Sequence, residues 1–180
     1  MPRPEFTWET ARLTARPPTS ADAQLLFEQY ARDPAVAKYM TWRPHGDVKE
    51  TLEFLRRCER VWIDGSAFPW SLWVKGTGEF AGLLEIRVSA SAVDLGYALA
   101  QRWWRHGLMS EALQSVVQWA LAQPEIYRVW ATCDVENVAS ARVLERVGME
   151  REGVLRRWLV HPNISEVPRD CLCYSVVKAG

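Results

Sequence analysis

The sequence has few residues of the kinds that build disulfide scaffolds or metal centres. Its four cysteines, Cys58, Cys133, Cys171 and Cys173, include no C-x-x-C pair. Cys171 and Cys173 stand two apart on a predicted strand, so they share a face and are badly placed to bond each other. We therefore expect four reduced thiols and no metal site.

The sequence also lacks an excess of charge and any long apolar run. Lys+Arg and Asp+Glu both total 22, so no overall field would attract nucleic acid or an anionic membrane. No apolar run approaches the ~20 residues that a membrane helix needs, and no charged-then-apolar leader opens the chain. We expect a soluble, cytoplasmic protein without nucleic-acid or membrane partners; a homodimer is an open alternative to a monomer.

The length and the apolar content predict one globular domain. The 180 residues, of which 48% are hydrophobic, can bury a sizeable core in a single domain over 1–180. Residues 1–11 carry two prolines and little pattern, and we expect them to be loosely ordered. Residues 12–16 alternate as a strand does, and capping-box spacing at residues 19–22 predicts a helix to about residue 30. Apolar spacing predicts a second helix over 47–64.

A strand, a basic turn and a helix lie at the centre of the chain. Residues 92–99 alternate, whereas apolar residues over 108–121 recur at helical spacing. The turn between them carries Arg105, His106 and Gly107. Because the first amides of a helix lack partners and the dipole makes that end positive, the turn is suited to hold a phosphate. A purely structural connection is the alternative.

The remaining periodicity predicts an α/β protein. A hairpin precedes the central strand, and a strand, a short helix and a final strand pair follow the central helix. In total we predict about seven strands and about four helices. The predicted elements outside the segments described above are strands over 69–75, 79–88, 127–135, 149–160 and 171–177, and a helix over 137–147.

Several motifs resemble one enzyme family. Residues 104–112, which read WRHGLMSEA, are similar to the pyrophosphate loop of the GNAT superfamily of N-acetyltransferases, in its RimJ/RimL-type branch. Arg105 stands where that loop has its first glycine, and Gly107 keeps the second. ETARL at 9–13 and ENVASARVLERVGM at 136–149 resemble two further motifs of the branch. The resemblance implies a GNAT-like α+β fold with a mixed, mostly antiparallel central sheet.

The resemblance also implies acetyl-CoA as co-substrate and a set of cofactor contacts. The loop would bind the pyrophosphate mainly through backbone N–H groups, a backbone N–H near Leu99 would receive the developing oxyanion, and Asn137 would hold the pantetheine arm. The cofactor-binding residues that it implies are Leu99, Arg105, His106, Gly107, Leu108, Met109, Ser110 and Asn137.

The resemblance suggests Ser140 as the group that protonates the leaving thiolate, directly or through water. Many GNAT enzymes use a tyrosine seven residues after the asparagine, but that position is Leu144 here. The alternative is structural, since Asn137 is a good helix N-cap and Ser140 lies one turn further on.

The general base is less well defined. Glu85 is the first choice, because its strand neighbours the central strand and its side chain points away from the face of Leu84 and Ile86. Asp94 and Asp134 are alternatives. The structural alternative for all three carboxylates is that they simply lie on a solvated strand face.

The predicted acceptor is a primary amine, with the α-amine of a protein or peptide N-terminus first. Near pH 7.5 roughly a quarter of α-amines but only ~0.1% of lysine amines are neutral, so a weak base suits the former. Trp42, in a predicted loop over 36–46, would be a wall of the acceptor groove or a packed anchor. Two alternatives stay open: a small-molecule amine (an antibiotic, polyamine or amino acid) as acceptor, or a CoA-binding module without turnover.

Overall fold

One mixed sheet of eight strands forms the centre of the computed structural model, which describes residues 2–179. The strands are β1 (Trp8–Glu9), β2 (Leu13–Arg16), β3 (Phe68–Val74), β4 (Phe80–Val88), β5 (Ala92–Leu99), β6 (Arg128–Asp134), β7 (Glu150–Leu159) and β8 (Arg169–Val177). Their order in the sheet is β1-β2-β3-β4-β5-β6-β8-β7. Every pair is antiparallel except β5 with β6, so the predicted mixed, mostly antiparallel sheet is confirmed.

Five α-helices connect the strands. They are α1 (Ala23–Leu26), α2 (Pro34–Ala37), α3 (Val48–Asp64), α4 (Leu108–Ala122) and α5 (Val138–Arg146). Short 3-10 and π turns extend α1 to Ser20–Ala31, which agrees with the predicted first helix. The one helix that the sequence did not predict is α2, where Asp33 accepts a hydrogen bond from the Ala35 amide and Pro34 occupies the first turn.

The N-terminal segment is more ordered than its composition predicts. Trp8–Glu9 forms β1, which pairs with β2. The sequence did not predict this strand, and it raises the number of strands in the sheet to eight. The ring of Phe6 meets the edge of Trp62 at a centroid distance of 5.3 Å, and Trp8 meets Trp70 at 5.8 Å. The expectation of loose order for residues 1–11 is therefore corrected for residues 2–11. The buried aromatic rings supply these contacts, because each ring brings a large apolar area. The two prolines of the segment gave no indication of them.

The sheet separates two apolar clusters. The larger one lies under α4 and α5 and includes Leu84, Val93, Leu113 and Leu144. The smaller one lies under α1 and α3 and includes Leu26, Tyr30, Leu55, Phe80 and Leu83. Alternation along β4 sends Leu84 to the first cluster and Leu83 to the second, so each face of the strand packs on a different helix layer.

Two expectations from composition can be compared with the structure. All four cysteines are buried and none forms a disulfide, which confirms the prediction of reduced thiols. Among residues 2–179, no helix has both the length and the apolar composition to cross a bilayer.

Candidate active site

A gap opens in the sheet between β5 and β6. The two strands pair in parallel only from Ala92 with Arg128 to Asp94 with Trp130. Beyond these pairs β5 runs on to Leu99 and β6 to Asp134, each without the other as neighbour. The edge of β5 that faces β6 is therefore free over its second half.

The hydrogen-bond alternation of β5 shows which groups line this gap. Ala100 donates to the Ala81 carbonyl at 2.9 Å, so residues 81 and 100 form a hydrogen-bonded pair in the antiparallel register with β4. Since such pairs alternate, the main-chain groups of Tyr97 and Leu99 point away from β4 and into the gap. The Leu99 carbonyl is used by the indole N–H of Trp104 at 2.9 Å. Its N–H faces the gap as a donor, at the position that the family resemblance implied.

The loop after β5 has the backbone of an anion site. Arg105 and Gly107 both have positive φ, 64° and 74°, and Gly107 is the N-cap of α4. A positive φ explains why a glycine is expected at position 105, since a side chain there costs about 1–2 kcal/mol. The side chains of Leu108 and Met109 are buried in the core, so only their amides can meet a ligand. These amides belong to the first helical turn, where no carbonyl within the helix accepts from them.

Two polar side chains of the loop can be placed beside these amides. His106 is exposed, and its Nδ1 lies 2.9 Å from the Trp104 carbonyl, which holds the loop in its turn. The Ser110 hydroxyl is buried and has no hydrogen-bond partner among residues 2–179. An orphaned hydroxyl in the first turn of α4 is a group that a bound ligand could satisfy.

The turn between β1 and β2 holds this loop from outside through Thr10 and Arg12, which sequence reasoning missed. Arg12 donates from Nε to Glu111 at 2.5 Å and from its terminal nitrogen to the His106 carbonyl at 2.9 Å. Glu111 also accepts from the Thr10 hydroxyl at 2.5 Å. The second terminal nitrogen of Arg12 lies 3.6 Å from the point that a Cβ at Gly107 would occupy. The Arg12 guanidinium therefore lies next to the proposed pyrophosphate loop, although Arg12 and Glu111 are 99 positions apart in the sequence.

Ser140 lies across the gap from β5. Its hydroxyl is 2.8 Å from the hydroxyl of Tyr97, a pair that the sequence did not predict. Burial raises the pKa of Tyr97 above its ordinary value, so its phenol stays protonated at neutral pH. Asn137 caps α5, because its Oδ1 accepts from the Ser140 amide at 3.2 Å. This cap is the structural role anticipated for Asn137, and it orients Ser140 toward Tyr97.

The three candidate bases are all ion-paired. Glu85 contacts Arg87 at 2.5 Å and Arg57 at 3.7 Å, and its side chain is 19% exposed.

Asp94 and Asp134 have arginine partners of their own. Asp94 pairs with Arg87 at 2.6 Å, although burial raises the pKa of this carboxyl on balance. Asp134 is fully buried; burial would raise its pKa, but the Arg169 guanidinium at 2.6 Å and other hydrogen bonds lower it overall. Asp134 therefore serves the fold, whereas Glu85 and Asp94 lie on the open face of β4 and β5.

Trp42 lies on the opposite side of the sheet from α4. Its indole is 5.8 Å from the ring of Tyr30 and 5.6 Å from that of His45. All three side chains line a cavity of about 280 Å³ between the α1 and α3 layers. Trp42 is thus a packed ring that also lines this cavity, and its role as a wall of the acceptor groove stays a prediction.

Within residues 2–179, no group of three or more His, Cys, Asp or Glu side chains could hold a metal ion. The site therefore offers main-chain donors, hydroxyls and a guanidinium, which are groups suited to a diphosphate and a thioester.

Comparisons with known proteins show the family to which the chain belongs. The sequence profile of the acetyltransferase (GNAT) domain matches residues 12–150. The chain belongs to the GNAT acetyltransferase family. An uncharacterized N-acetyltransferase, p20, of Bacillus licheniformis is 31% identical over 153 residues, which cover 83% of this chain and 85% of the relative.

Other relatives place the chain near the RimJ/RimL-type branch of this family. The Escherichia coli [ribosomal protein uS5]-alanine N-acetyltransferase is 29% identical over 166 residues, covering 87% of this chain and 84% of that protein. A solved RimL ribosomal L7/L12 α-N-protein acetyltransferase in complex with coenzyme A superimposes with a TM-score of 0.80 at 21% identity, covering 94% of this chain and 96% of that one. The GNAT fold and the acetyl-CoA-dependent N-acetyltransferase activity predicted from the motifs are confirmed.

Proposed function

We propose that the acceptor is the α-amine of a peptide or protein N-terminus. The observation that carries this proposal is the ion pairing of Glu85, Asp94 and Asp134 with arginines. Because each of these carboxylates already contacts an arginine, none is free to approach an acceptor amine directly, so the amine must lose its proton readily. An α-amine titrates near 8 and meets that need better than a lysine amine near 10.4. The uS5-alanine N-acetyltransferase among the relatives supports the same class.

The proposed cofactor contacts follow from groups that face the gap or cap α4. The amides of Gly107, Leu108 and Met109 receive the pyrophosphate, with Arg12 and Arg105 as neighbouring cations and His106 and Ser110 at the loop. Asn137 orients the start of α5. These groups bind and align the thioester so that its carbonyl lies near β5.

In the proposed reaction, the amine attacks the carbonyl carbon of the thioester and the C–S bond breaks. The N–H of Leu99 stabilises the charge on the carbonyl oxygen, because it is a main-chain donor already aimed into the gap. Ser140, hydrogen-bonded to Tyr97, donates a proton to the departing thiolate and takes a replacement proton from water. Glu85 takes the amine proton, through water or after Arg57 moves, and Trp42 borders the acceptor.

A peptide panel tests this function. We expect short peptides with free Ser or Ala N-termini to be acetylated at the α-amine, measured by thiol release and mass spectrometry. The same peptides with a blocked N-terminus and one internal lysine are the matched controls, and we expect them to react at least ten times more slowly. Polyamines and aminoglycosides complete the panel.

Each outcome of this panel selects one function. Equal rates on blocked and free peptides would exclude the N-terminal acceptor. Turnover of the small amines alone would establish the small-molecule alternative. Binding of acetyl-CoA without turnover on any amine would leave a CoA-binding module.

A further inference from the structure

Gly82 of β4 lies very close to the last residues of β5. It pairs with Leu99 in the antiparallel register of the two strands. A Cβ atom at Gly82 would lie 2.3 Å from the Ala98 carbonyl oxygen, 2.8 Å from Leu99 Cα and 2.9 Å from Leu99 Cδ2. Real Cβ atoms essentially never come within 3.0 Å of such neighbours, so no residue with a side chain fits at position 82 unless a strand moves.

An irregularity of β4 accompanies this close approach. The pairing between β3 and β4 shifts by one residue at Ala81, which has no partner on β3. A bulge of this kind bends its strand and increases the local twist. The Ala81 carbonyl accepts a hydrogen bond from the Ala100 amide at 2.9 Å, which fastens the end of β5 to the bulge. The bulge and the adjacent glycine together let the end of β5 lie against β4.

A side chain at position 82 would displace β5 rather than β4. β4 is hydrogen-bonded to β3 on one edge and to β5 on the other, and both neighbours of Gly82 in the chain, Ala81 and Leu83, are buried. The other edge of β5 is free at Leu99, since the pairing of β5 with β6 ends at Asp94. The Leu99 Cα would have to move from 2.8 Å to at least 3.4 Å from the new Cβ, and the open direction is toward the gap.

Such a movement acts on the group proposed to receive the oxyanion. The N–H of Leu99 points into the gap, because Gly82 and Leu99 form a pair that exchanges no hydrogen bonds with each other. A donor stabilises an oxyanion from a narrow range of distances, about 2.7–3.1 Å. A shift of several tenths of an ångström in the Leu99 main chain therefore changes the geometry on which this stabilisation depends.

We propose that Gly82 is a positioning residue for the reaction. Because it has no side chain, it lets the end of β5 lie against β4 and so sets where the N–H of Leu99 meets the thioester carbonyl. Gly82 acts through Leu99 and needs no contact with either substrate. This inference rests on the role that the proposed function gives to Leu99, but it does not depend on which amine is the acceptor.

Gly82→Ala tests this role with acetyl-CoA that carries carbon-13 at the carbonyl carbon. Difference infrared spectroscopy without any acceptor measures the carbonyl stretching band of the bound thioester, which reports the hydrogen bond from the Leu99 N–H. In the unmodified protein we expect this band at a lower frequency than in free acetyl-CoA, and in Gly82→Ala we expect the shift to be lost. The kcat with the fastest acceptor of the panel should fall about 100-fold. The Kd for CoA, which has no acetyl carbonyl, should change by less than about 2-fold, since the loop that would bind its diphosphate is untouched.

Two further variants accompany Gly82→Ala. Gly153→Ala is the matched control, because Gly153 is also a strand glycine and an added Cβ would meet no atom within 4 Å. It should keep both the band shift and kcat. Ala100→Pro reaches the same contact from β5, because Ala100 has φ −57°, which proline adopts, while the substitution removes the N–H that bonds the Ala81 carbonyl. We expect this variant to lose the band shift as well, which tests the proposal even where Gly82→Ala does not fold.

Several results would overturn the positioning role. They are a native band position in either variant once folded, a fall in kcat with the band shift intact, and unfolding of both variants, which would show that the contact serves the fold alone. No band shift in the unmodified protein would contradict the oxyanion contact of Leu99 and the positioning role with it. Failure of the α-amine peptides in the acceptor panel leaves the band unaffected, so it would contradict the proposed function alone.

Discussion

The two sides of the sheet gap present different groups to the ligands that we propose for them. On the cofactor side, the loop that ends at Gly107 and the first turn of α4 present main-chain N–H groups. On the acceptor side, side chains from α1, the loop after α2 and α3 surround a cavity and reach Glu85 through Arg57. Backbone donors suit a ligand that never changes, whereas a wall of side chains can be altered without disturbing the fold. Under the proposed function, this comparison assigns affinity for acetyl-CoA to the loop and acceptor choice to the cavity.

Gly107→Asp should abolish the binding of acetyl-CoA on the cofactor side. It places a carboxylate where the pyrophosphate would bind and imposes a side chain at φ 74°. We expect acetyl-CoA no longer to raise the melting temperature, with Kd increased more than 100-fold. Gly76→Asp is the matched control, because Gly76 has φ 85° and no atom within 4 Å of an added Cβ. A thermal shift that survives in Gly107→Asp would move the cofactor site elsewhere.

Ser140→Ala should separate chemistry from binding on the cofactor side. If Ser140 protonates the thiolate, kcat falls about 100-fold and the Kd for acetyl-CoA barely changes. Tyr97→Phe should lower kcat less, since it removes only the partner of that hydroxyl, 2.8 Å away. Ser91→Ala, at an exposed turn, controls for the substitution itself. Weaker acetyl-CoA binding with intact kcat would make Ser140 a cofactor contact.

Arg12→Gln tests whether the N-terminal strands belong to the cofactor side. Arg12 bonds Glu111 and the His106 carbonyl, so its loss should loosen the loop and remove a cation beside it. Burial would raise the pKa of Glu111, but bonds from Thr10 and Arg12 lower it overall, so the variant leaves Glu111 without its arginine partner. We expect the Kd for acetyl-CoA to rise about 10-fold.

An acetyl donor that lacks the diphosphate distinguishes a role of Arg12 in cofactor binding from a general loss of stability. The KM for acetyl-pantetheine should be the same in Arg12→Gln and in the unmodified protein, because this donor has no diphosphate for the loop to bind. Arg156→Gln, at an exposed position of β7, is the control. Equal losses with both donors would show that Arg12 supports the fold alone.

Trp42→Ala should give the smallest effect and act on the acceptor side. Removal of the indole widens the cavity while Tyr30 and Phe54 remain, so the peptide KM should rise about 5-fold. The KM for acetyl-CoA should change by less than 2-fold. Steady-state kinetics with both substrates varied would measure the two effects, and a larger rise for acetyl-CoA would contradict the division between the two sides.

The helices and strands near the cofactor side were readable from the sequence because their signals are local. The alternation over residues 92–99, the helical spacing after Gly107 and the Asn137 cap each depend on residues close along the chain. Leu108, which the helical spacing placed on the apolar face, is buried in the structure. The short strand Trp8–Glu9 and the single turn of α2 were missed, since two to four residues carry too little periodicity.

The motifs of the sequence, through their family resemblance, predicted the GNAT-like fold and the class of reaction, and they also predict which loop receives acetyl-CoA. Only the tertiary structure decided which side chains meet: Arg12 with Glu111, Tyr97 with Ser140, and Glu85 with Arg57 and Arg87. The cavity lined by Tyr30, Trp42 and Arg57 is decided in the same way. The physical reason is that local periodicity specifies which face of an element is buried. Strand order and the packing of helices across the sheet specify which distant charges and hydroxyls come within hydrogen-bonding distance.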